Sequence, residues 1–176
     1  MKVRTTPLGA LVRGLLAGTA GTLAFDTVWY LRYRKAGGTD SFYDWEFSSS
    51  VKTWDEAAAP AQVGRRVWEG LFQTKLPDDK AALVNNIMHW AYGVGSAAPY
   101  GLLAGSLSNP RILYGPPFGA GVWGAGYVIL PAAGLYKPIT EYPRDVLAKD
   151  LSAHLVYGVV TAVVFKLLSL GRGRRG

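Results

Sequence analysis

Two histidines stand in matching rows of polar residues. One row begins at Asn85 and the other at Asp150, and in each row the histidine follows four residues later. A tyrosine comes three residues after each histidine, and a hydroxyl residue comes four residues after each tyrosine. The complete rows are Asn85, His89, Tyr92, Gly93, Ser96 and Asp150, His154, Tyr157, Gly158, Thr161. Because such steps keep side chains on one face of a helix, each row predicts one polar helical stripe.

These residue types fit two roles. Neutral imidazole titrates near pH 7 and also binds metals, so His89 and His154 with Asp26 or Asp150 are suited to relaying protons or holding a small solute. The alternative is structural, since hydrogen bonds between polar side chains also hold membrane helices together. A metal is the weaker interpretation, because no HExxH pattern or compact ligand cluster is present. We therefore predict no metal site.

Two long stretches of the chain are free of charge. Asp, Glu, Lys and Arg are absent from residues 81–110 and 112–136. A bilayer core takes about 20 mostly apolar helical residues to cross, so each stretch is long enough. Among residues 8–31 the charged residues are Arg13 and Asp26. In the stretch 148–170, the part after Asp150 contains one charged residue, Lys166. The expected spans are therefore residues 8–31, 81–107, 113–135 and 148–170.

The first of these stretches also resembles a secretory signal, because basic residues precede it. Arg13 interrupts the apolar run, which continues to Leu31 and ends at Arg32 and Arg34. A retained first span fits this pattern better than a cleaved signal.

Residues 32–80 form the largest expected extramembrane segment. Within it, residues 57–72 predict a helix whose apolar side holds Val63, Val67, Leu71 and Phe72. Trp68 beside them suits the headgroup layer, so we expect this helix to lie in the membrane interface. Packing on a soluble partner domain is the alternative.

Small residues mark the expected helix contacts. Gly14, Gly18 and Gly21 in the first span, and Gly115 and Gly119 in the third, let helix backbones approach closely. The third span also matches the dinucleotide pattern GxGxxG, which requires a preceding strand that this sequence lacks. We predict no cofactor.

The expected fold is all-α: a single membrane domain, residues 1–176, with four transmembrane helices as two tandem hairpins and an added interfacial helix. An even number of spans in each unit gives a parallel repeat, which places the second and fourth spans face to face. The expected polar interior is Asp26, Asn85, His89, Tyr92, Ser96, Asp150, His154, Tyr157 and Thr161.

Composition supports a membrane environment. Hydrophobic residues make up 49% of the chain and charged residues 18%, against about 25% charged in ordinary soluble domains. The formal charge is +7, but the terminal Arg172, Arg174 and Arg175 directly follow a span, so lipid headgroups are the expected partner and nucleic acid is not. The absence of cysteine excludes disulfides and thiolate chemistry.

A further pattern in the second half of the chain joins the two histidines, several aromatic and glycine positions of the third span, and the loop after it. In sequence these are His89, Phe118, Gly119, Val122, Trp123, Pro131, Gly134, Pro138, Glu141 and His154, with Trp45 and Glu46 as a looser part of the pattern. In these positions the chain resembles the YagU-like family of bacterial inner-membrane proteins. The resemblance implies a multi-pass bacterial inner-membrane location and supplies no reaction. The chain departs from the family pattern where a further histidine is expected, near Gly126 and Tyr127.

The sequence thus predicts a non-enzymatic membrane protein whose bundle interior handles protons or a small solute. It has no GxSxG serine and no cysteine nucleophile, so an enzyme is a weaker reading. The alternative is an accessory subunit that packs against a larger membrane complex through glycine-rich helix faces. Association into a homo-oligomer through the same glycines is also compatible with the sequence.

Overall fold

Helices make up most of the computed structural model, which describes residues 6–47, 51–107 and 109–170. No strand occurs among those residues, so the all-α prediction is confirmed. Arg172, Arg174 and Arg175 lie outside the described residues. The helices are α1 (Pro7–Lys35), α2 (Phe42–Glu46), α3 (Ala59–Phe72), α4 (Ala81–Ser106), α5 (Gly115–Ala132) and α6 (Arg144–Leu170).

Helix ends follow local chemistry. Thr6 caps α1 by accepting a hydrogen bond from the Gly9 amide at 3.1 Å, and Pro7 occupies the first helical position, where its missing N–H costs nothing. The helix ends in a basic turn that includes Arg32 and Arg34, and it runs four residues beyond the predicted end at residue 31. Cations suit the negative end of the helix dipole, which explains the extension.

The four long helices form antiparallel neighbours. α1 packs against both α4 and α6, and α5 packs against α6. Arg32, near the end of α1, donates hydrogen bonds to the Lys149 carbonyl and the Ser152 hydroxyl near the start of α6, at 2.8 and 2.7 Å. The amphipathic α3 lies on α4, where Gly64 meets Met88 and Val84.

Glycine allows the closest approaches in each hairpin. A Cβ at Gly14 would lie 2.7 Å from the Ala97 carbonyl oxygen, and one at Gly18 would lie 2.8 Å from the Val94 carbonyl oxygen, both on α4. Gly115 and Gly119 of α5 meet the backbone of α6 around Gly158 in the same way. The remaining predicted packing residue, Gly21, faces Thr161 and Tyr157 of α6.

The core between these helices is made largely of small residues. Its central cluster is Ala17, Tyr100, Ala104, Ala162 and Phe165. Two helices, α1 and α6, are long and apolar enough to cross a membrane, and only 33% of the most apolar stretch of each is buried inside the protein. The core helices of a soluble protein are mostly buried, so this low burial is a membrane-like feature.

A single added methyl group tests the glycine contacts. In Gly119→Ala the new Cβ would meet the His154 carbonyl oxygen and lie 3.2 Å from the Gly158 Cα, so α5 and α6 must separate. We expect a loss of stability of about 1–3 kcal/mol, as for other overpacked contacts. The measurement is the thermal unfolding midpoint in detergent.

Gly121→Ala is the matched control. It adds the same methyl group to the same helix at a position with nothing within 4 Å, so its stability should stay within about 1 kcal/mol of the parent, on the favourable side. Equal destabilisation by both variants would contradict the assigned contact.

Candidate functional site

The ionisable residues predicted from the rows gather toward one end of the bundle, where α1 and α5 end and α4 and α6 begin. We call it the loop-side end, because it also carries α2 and α3. Asp26 of α1, His89 of α4 and His154 of α6 all lie in this half. The glycine contacts at Gly14 and Gly115 lie in the other half, whereas the contact of Gly119 reaches the backbone of His154.

Asp26 and His89 form the first polar pair. The His89 Nε2 lies 2.9 Å from the Asp26 Oδ1, a hydrogen bond between α4 and α1. The Asp26 side chain is 4% exposed, so this carboxylate is withdrawn from solvent. The basic residues Arg32 and Arg34 at the end of α1 have other partners: Arg32 binds α6, and Arg34 donates to the Tyr30 hydroxyl at 3.1 Å.

Asp150, His154 and Tyr127 form the second group. The His154 Nδ1 lies 3.3 Å from the Asp150 Oδ1 and 3.0 Å from the Asp150 carbonyl oxygen, one turn earlier on the same helix. The Tyr127 hydroxyl of α5 donates to the Asp150 Oδ2 at 3.1 Å. A carboxylate, an imidazole and a phenol are thus connected across α5 and α6.

Phe25 lies between the two histidines. Its ring centroid is 4.8 Å from that of His154, edge to face, and 6.3 Å from that of His89. Both imidazoles are therefore neighbours of the same apolar ring. An aromatic side chain at this position separates the Asp26–His89 pair from the Asp150–His154 pair.

A cavity of about 420 Å³, here called the central cavity, opens beside these residues. Both histidines line it, together with Asp150, Tyr92 and Tyr157, and most of the remaining wall is apolar or aromatic. The Tyr157 hydroxyl donates to the Gly93 carbonyl oxygen at 2.7 Å, and the Tyr92 hydroxyl to the Val122 carbonyl oxygen at 3.4 Å. Its volume falls in the range of small-molecule sites.

Four members of the predicted polar interior do not join the cavity wall, and one of them is Asp26, which pairs with His89. Asn85 accepts a hydrogen bond from the Ala58 amide at 3.2 Å and so fastens the start of α3 to α4. Thr161 is fully buried against Gly21 at the contact of α1 with α6. Ser96 lies beyond the wall, one turn after Tyr92 on α4. The rows share a helical face, but the contact with α1 or α3 takes some positions of each row out of the cavity.

α4 and α6 also differ from the expected face-to-face arrangement. Because α1 packs against both, they meet through long side chains: Tyr157 reaches the Gly93 carbonyl, and the rings of Tyr100 and Phe165 lie 5.8 Å apart. α4 and α5 likewise meet through Tyr100 and Phe118, whose ring centroids are 4.7 Å apart, without the close backbone contact of the other pairs. The central cavity occupies the resulting gap.

Glu46 is a site residue that the rows did not reveal. It ends α2, and its Oε1 accepts a hydrogen bond from the Trp90 indole at 3.0 Å. Single ligand atoms of Glu46, Asp26 and His89 all lie within 4.8 Å of one another. Burial, followed by the charge of Asp26, raises the pKa of Glu46 above its usual value.

These three residues line a second recess of about 510 Å³, here called the outer recess, which faces α2. His89 and Phe25 line both spaces and form their common wall. The sequence signal for Glu46 was its place in the Trp45–Glu46 pair, but a single acid in a loop carries no spacing that links it to α4.

No protein-family model, no curated protein and no solved structure matches this chain.

Proposed function

We propose that all four long helices cross a membrane, as two tandem hairpins in one domain. Length and hydropathy already identify α1 and α6 as able to cross a membrane. The helices α4 and α5 contain no Asp, Glu, Lys or Arg. Their hydropathy is lowered by Gly, Pro and aromatic residues, which membrane helices tolerate. At 1.5 Å per residue the 18 residues of α5 extend about 27 Å, close to the thickness of the hydrocarbon core.

The outward faces of these helices support the proposal. Leu103 of α4 and Val128 of α5 are each 71% exposed, and large apolar side chains are exposed along α1 and α6 as well. Soluble monomers rarely expose continuous apolar surface of this kind. Hydrocarbon around the bundle removes the cost of leaving these side chains uncovered.

α3 suits the membrane interface in this arrangement. Its inner side packs on α4 through Gly64, whereas Val67, Trp68, Leu71 and Phe72 are exposed. Apolar and tryptophan side chains on one side of a surface helix insert at the level of the lipid headgroups. A multi-pass location in a bacterial inner membrane, and membership of the YagU-like family, belong to the same proposal.

Cysteine labelling tests the number of crossings, since the chain itself has no cysteine. Gln73→Cys, Asn109→Cys and Thr140→Cys each replace an exposed residue outside the long helices. Four crossings place positions 73 and 140 on one side of the membrane and position 109 on the other. An impermeant maleimide applied to intact spheroplasts and to inverted vesicles should therefore label position 109 in the opposite preparation from the other two.

If only α1 and α6 cross, all three positions lie on one side and label together. That result would overturn the four-span arrangement. The unmodified chain serves as the background for every labelling reaction.

We further propose that the central cavity handles a proton or a small polar solute, without an enzymatic reaction. The observation that carries this proposal is that both histidines and Asp150 line one cavity of about 420 Å³ inside the bundle. Polar groups at membrane depth cost several kcal/mol when left without partners, so they line a wet cavity or bind one another. The cavity is larger than a pure hydrogen-bonded contact between helices needs.

Replacement of one imidazole tests this proposal. His154→Gln keeps a polar side chain of similar length but removes the titrating ring and its contact with Asp150. A pH-sensitive dye trapped in proteoliposomes should report a pH-dependent proton flux in the parent that falls to the level of protein-free vesicles in the variant. Thr27→Val is the control, because the Thr27 hydroxyl binds only its own helix through the Leu23 carbonyl.

A second pair of variants tests the volume of the central cavity. It adds a large side chain and leaves the polar residues of the cavity unchanged. Gly126 lines the cavity with open space at its Cβ position, whereas Gly124 has equal space and lies outside the wall. Gly126→Phe should block flux and Gly124→Phe should not. Unchanged flux in both His154→Gln and Gly126→Phe, with folded yield intact, would remove the proposed function.

A second candidate is the accessory-subunit role. Gly121 and Gly124 of α5 have nothing within 4 Å of a Cβ position, so this side of α5 admits close approach by a helix from another chain. Small residues on a lipid-facing surface are the usual site of such contacts.

This candidate predicts a stoichiometric partner after extraction in a mild detergent. The native mass of the particle should then exceed that of the 19.0 kDa chain by the mass of a second protein, and Gly124→Leu should release that protein. A monomer or a homo-oligomer would count against it.

A further inference from the structure

We propose that Asp26, Glu46 and His89 bind one divalent transition-metal ion in the outer recess. The inference does not depend on the proposed function, because it concerns a different space on the other side of His89. Two carboxylates and a neutral imidazole balance the charge of a divalent cation. The three side chains come from α1, α2 and α4, so the ion would join the short α2 to the bundle.

The donor atoms are already close together. The Asp26 Oδ1 and the His89 Nε2 are 2.9 Å apart, a separation that two adjacent ligands of one ion adopt. Carboxylate and imidazole ligands lie about 2 Å from such an ion, so any two of them are at most about 4 Å apart. The full spread of the three ligand atoms is 4.8 Å. A shift of about 1 Å by Glu46 therefore closes the site.

An unpaired carboxylate oxygen points to a ligand. The Asp26 residue is 3% exposed, and its Oδ2 has no hydrogen-bond partner in the part of the chain that the structure describes. A buried charged group that lacks a partner is costly, and burial is normally compensated by pairing or by a metal. The basic residues that follow on α1 are engaged elsewhere, with Arg32 on α6 and Arg34 on Tyr30 and Asp40.

Ligands of a metal ion are normally held in place by hydrogen bonds from residues outside the ligand set. The Trp90 indole donates to the Glu46 Oε1, which fixes that carboxylate and leaves its other oxygen for an ion. When the His89 Nε2 binds the ion, the proton of the neutral imidazole is on Nδ1.

The ligand types narrow the choice of ion. Imidazole suits Zn²⁺, Fe²⁺ and their neighbours, whereas sites for Mg²⁺ and Ca²⁺ are built from oxygen donors. One nitrogen and two carboxylates therefore favour Zn²⁺ or Mn²⁺ over Mg²⁺. Three protein ligands leave at least one position for water or another small molecule.

Calorimetric titration of the chelator-treated full chain in detergent tests the proposal, with Zn²⁺ alone and Mg²⁺ alone as probes. We expect one saturable Zn²⁺ site per chain and no saturable Mg²⁺ binding in the same range. Glu46→Gln should weaken Zn²⁺ binding at least tenfold, about 1.4 kcal/mol, because it removes one anionic ligand while keeping an acceptor for Trp90.

Asp44→Asn is the matched control. It removes one negative charge from the same short helix at an exposed position two residues away, and it should bind Zn²⁺ as the parent does. Asp26 is buried, so Asp26→Asn also perturbs the packing of α1. Glu46→Gln is therefore the variant that decides whether the site exists. No saturable Zn²⁺ binding by the parent, or equal weakening by Glu46→Gln and Asp44→Asn, would overturn the site.

The two proposals fail separately. His154→Gln leaves all three ligands in place, so it should retain Zn²⁺ binding even where it loses flux. Lost flux with retained Zn²⁺ binding in that variant supports both proposals. A parent chain with flux and no Zn²⁺ site refutes the metal site alone.

Discussion

Close approach of backbones at glycine determines how these helices are arranged. At Gly14 and Gly18 the backbone of α1 lies against α4, and at Gly115 and Gly119 the backbone of α5 lies against α6. Such contacts bring carbonyl oxygens and Cα atoms together, so they stabilise a bundle by dispersion and packing without large apolar side chains. That is why the core is mostly alanine and glycine, and why the large apolar residues remain available for the outer surface. The loop-side end has fewer such contacts, and polar side chains fill it instead.

The two hairpins pack through glycines in the same way. They differ in the residues beside the central cavity and the outer recess. When Gly14 and Gly18 are matched with Gly115 and Gly119, Phe25 corresponds to Gly126 and Asp26 to Tyr127. Phe25 fills the space between α1 and α6, whereas Gly126 leaves the equivalent space open as the central cavity. The carboxylate also changes place: it stands on the first helix of one hairpin, as Asp26, and on the second helix of the other, as Asp150. The hairpins therefore resemble each other in backbone and differ in the position of charge.

Periodicity and charge gaps were enough to predict the four long helices and the glycines between them. They also predicted one polar row on each of two helices, and the histidines of both rows line the central cavity. What they could not predict is partner choice across helices. Asn85 stands one turn before His89 on α4, but His89 pairs with Asp26 of a neighbouring helix, and Asn85 accepts a hydrogen bond from the Ala58 amide. Glu46 ends the short α2, and only the fold brings it to α4. Gly126 leaves open space in the wall of the central cavity, and no pattern of hydropathy records that space.

The shared wall of the two spaces gives them a means of coupling. His89 faces Asp26 with its Nε2 and faces Phe25 with its ring, and Phe25 in turn meets His154 in the central cavity. A ligand on Nε2, whether a proton shared with Asp26 or a metal ion, fixes the tautomer and the orientation of the imidazole. Phe25 packs against that ring, so a change in its orientation alters the space that Phe25 occupies beside His154. An ion in the outer recess would therefore bind a histidine whose neighbouring ring, Phe25, also lines the central cavity.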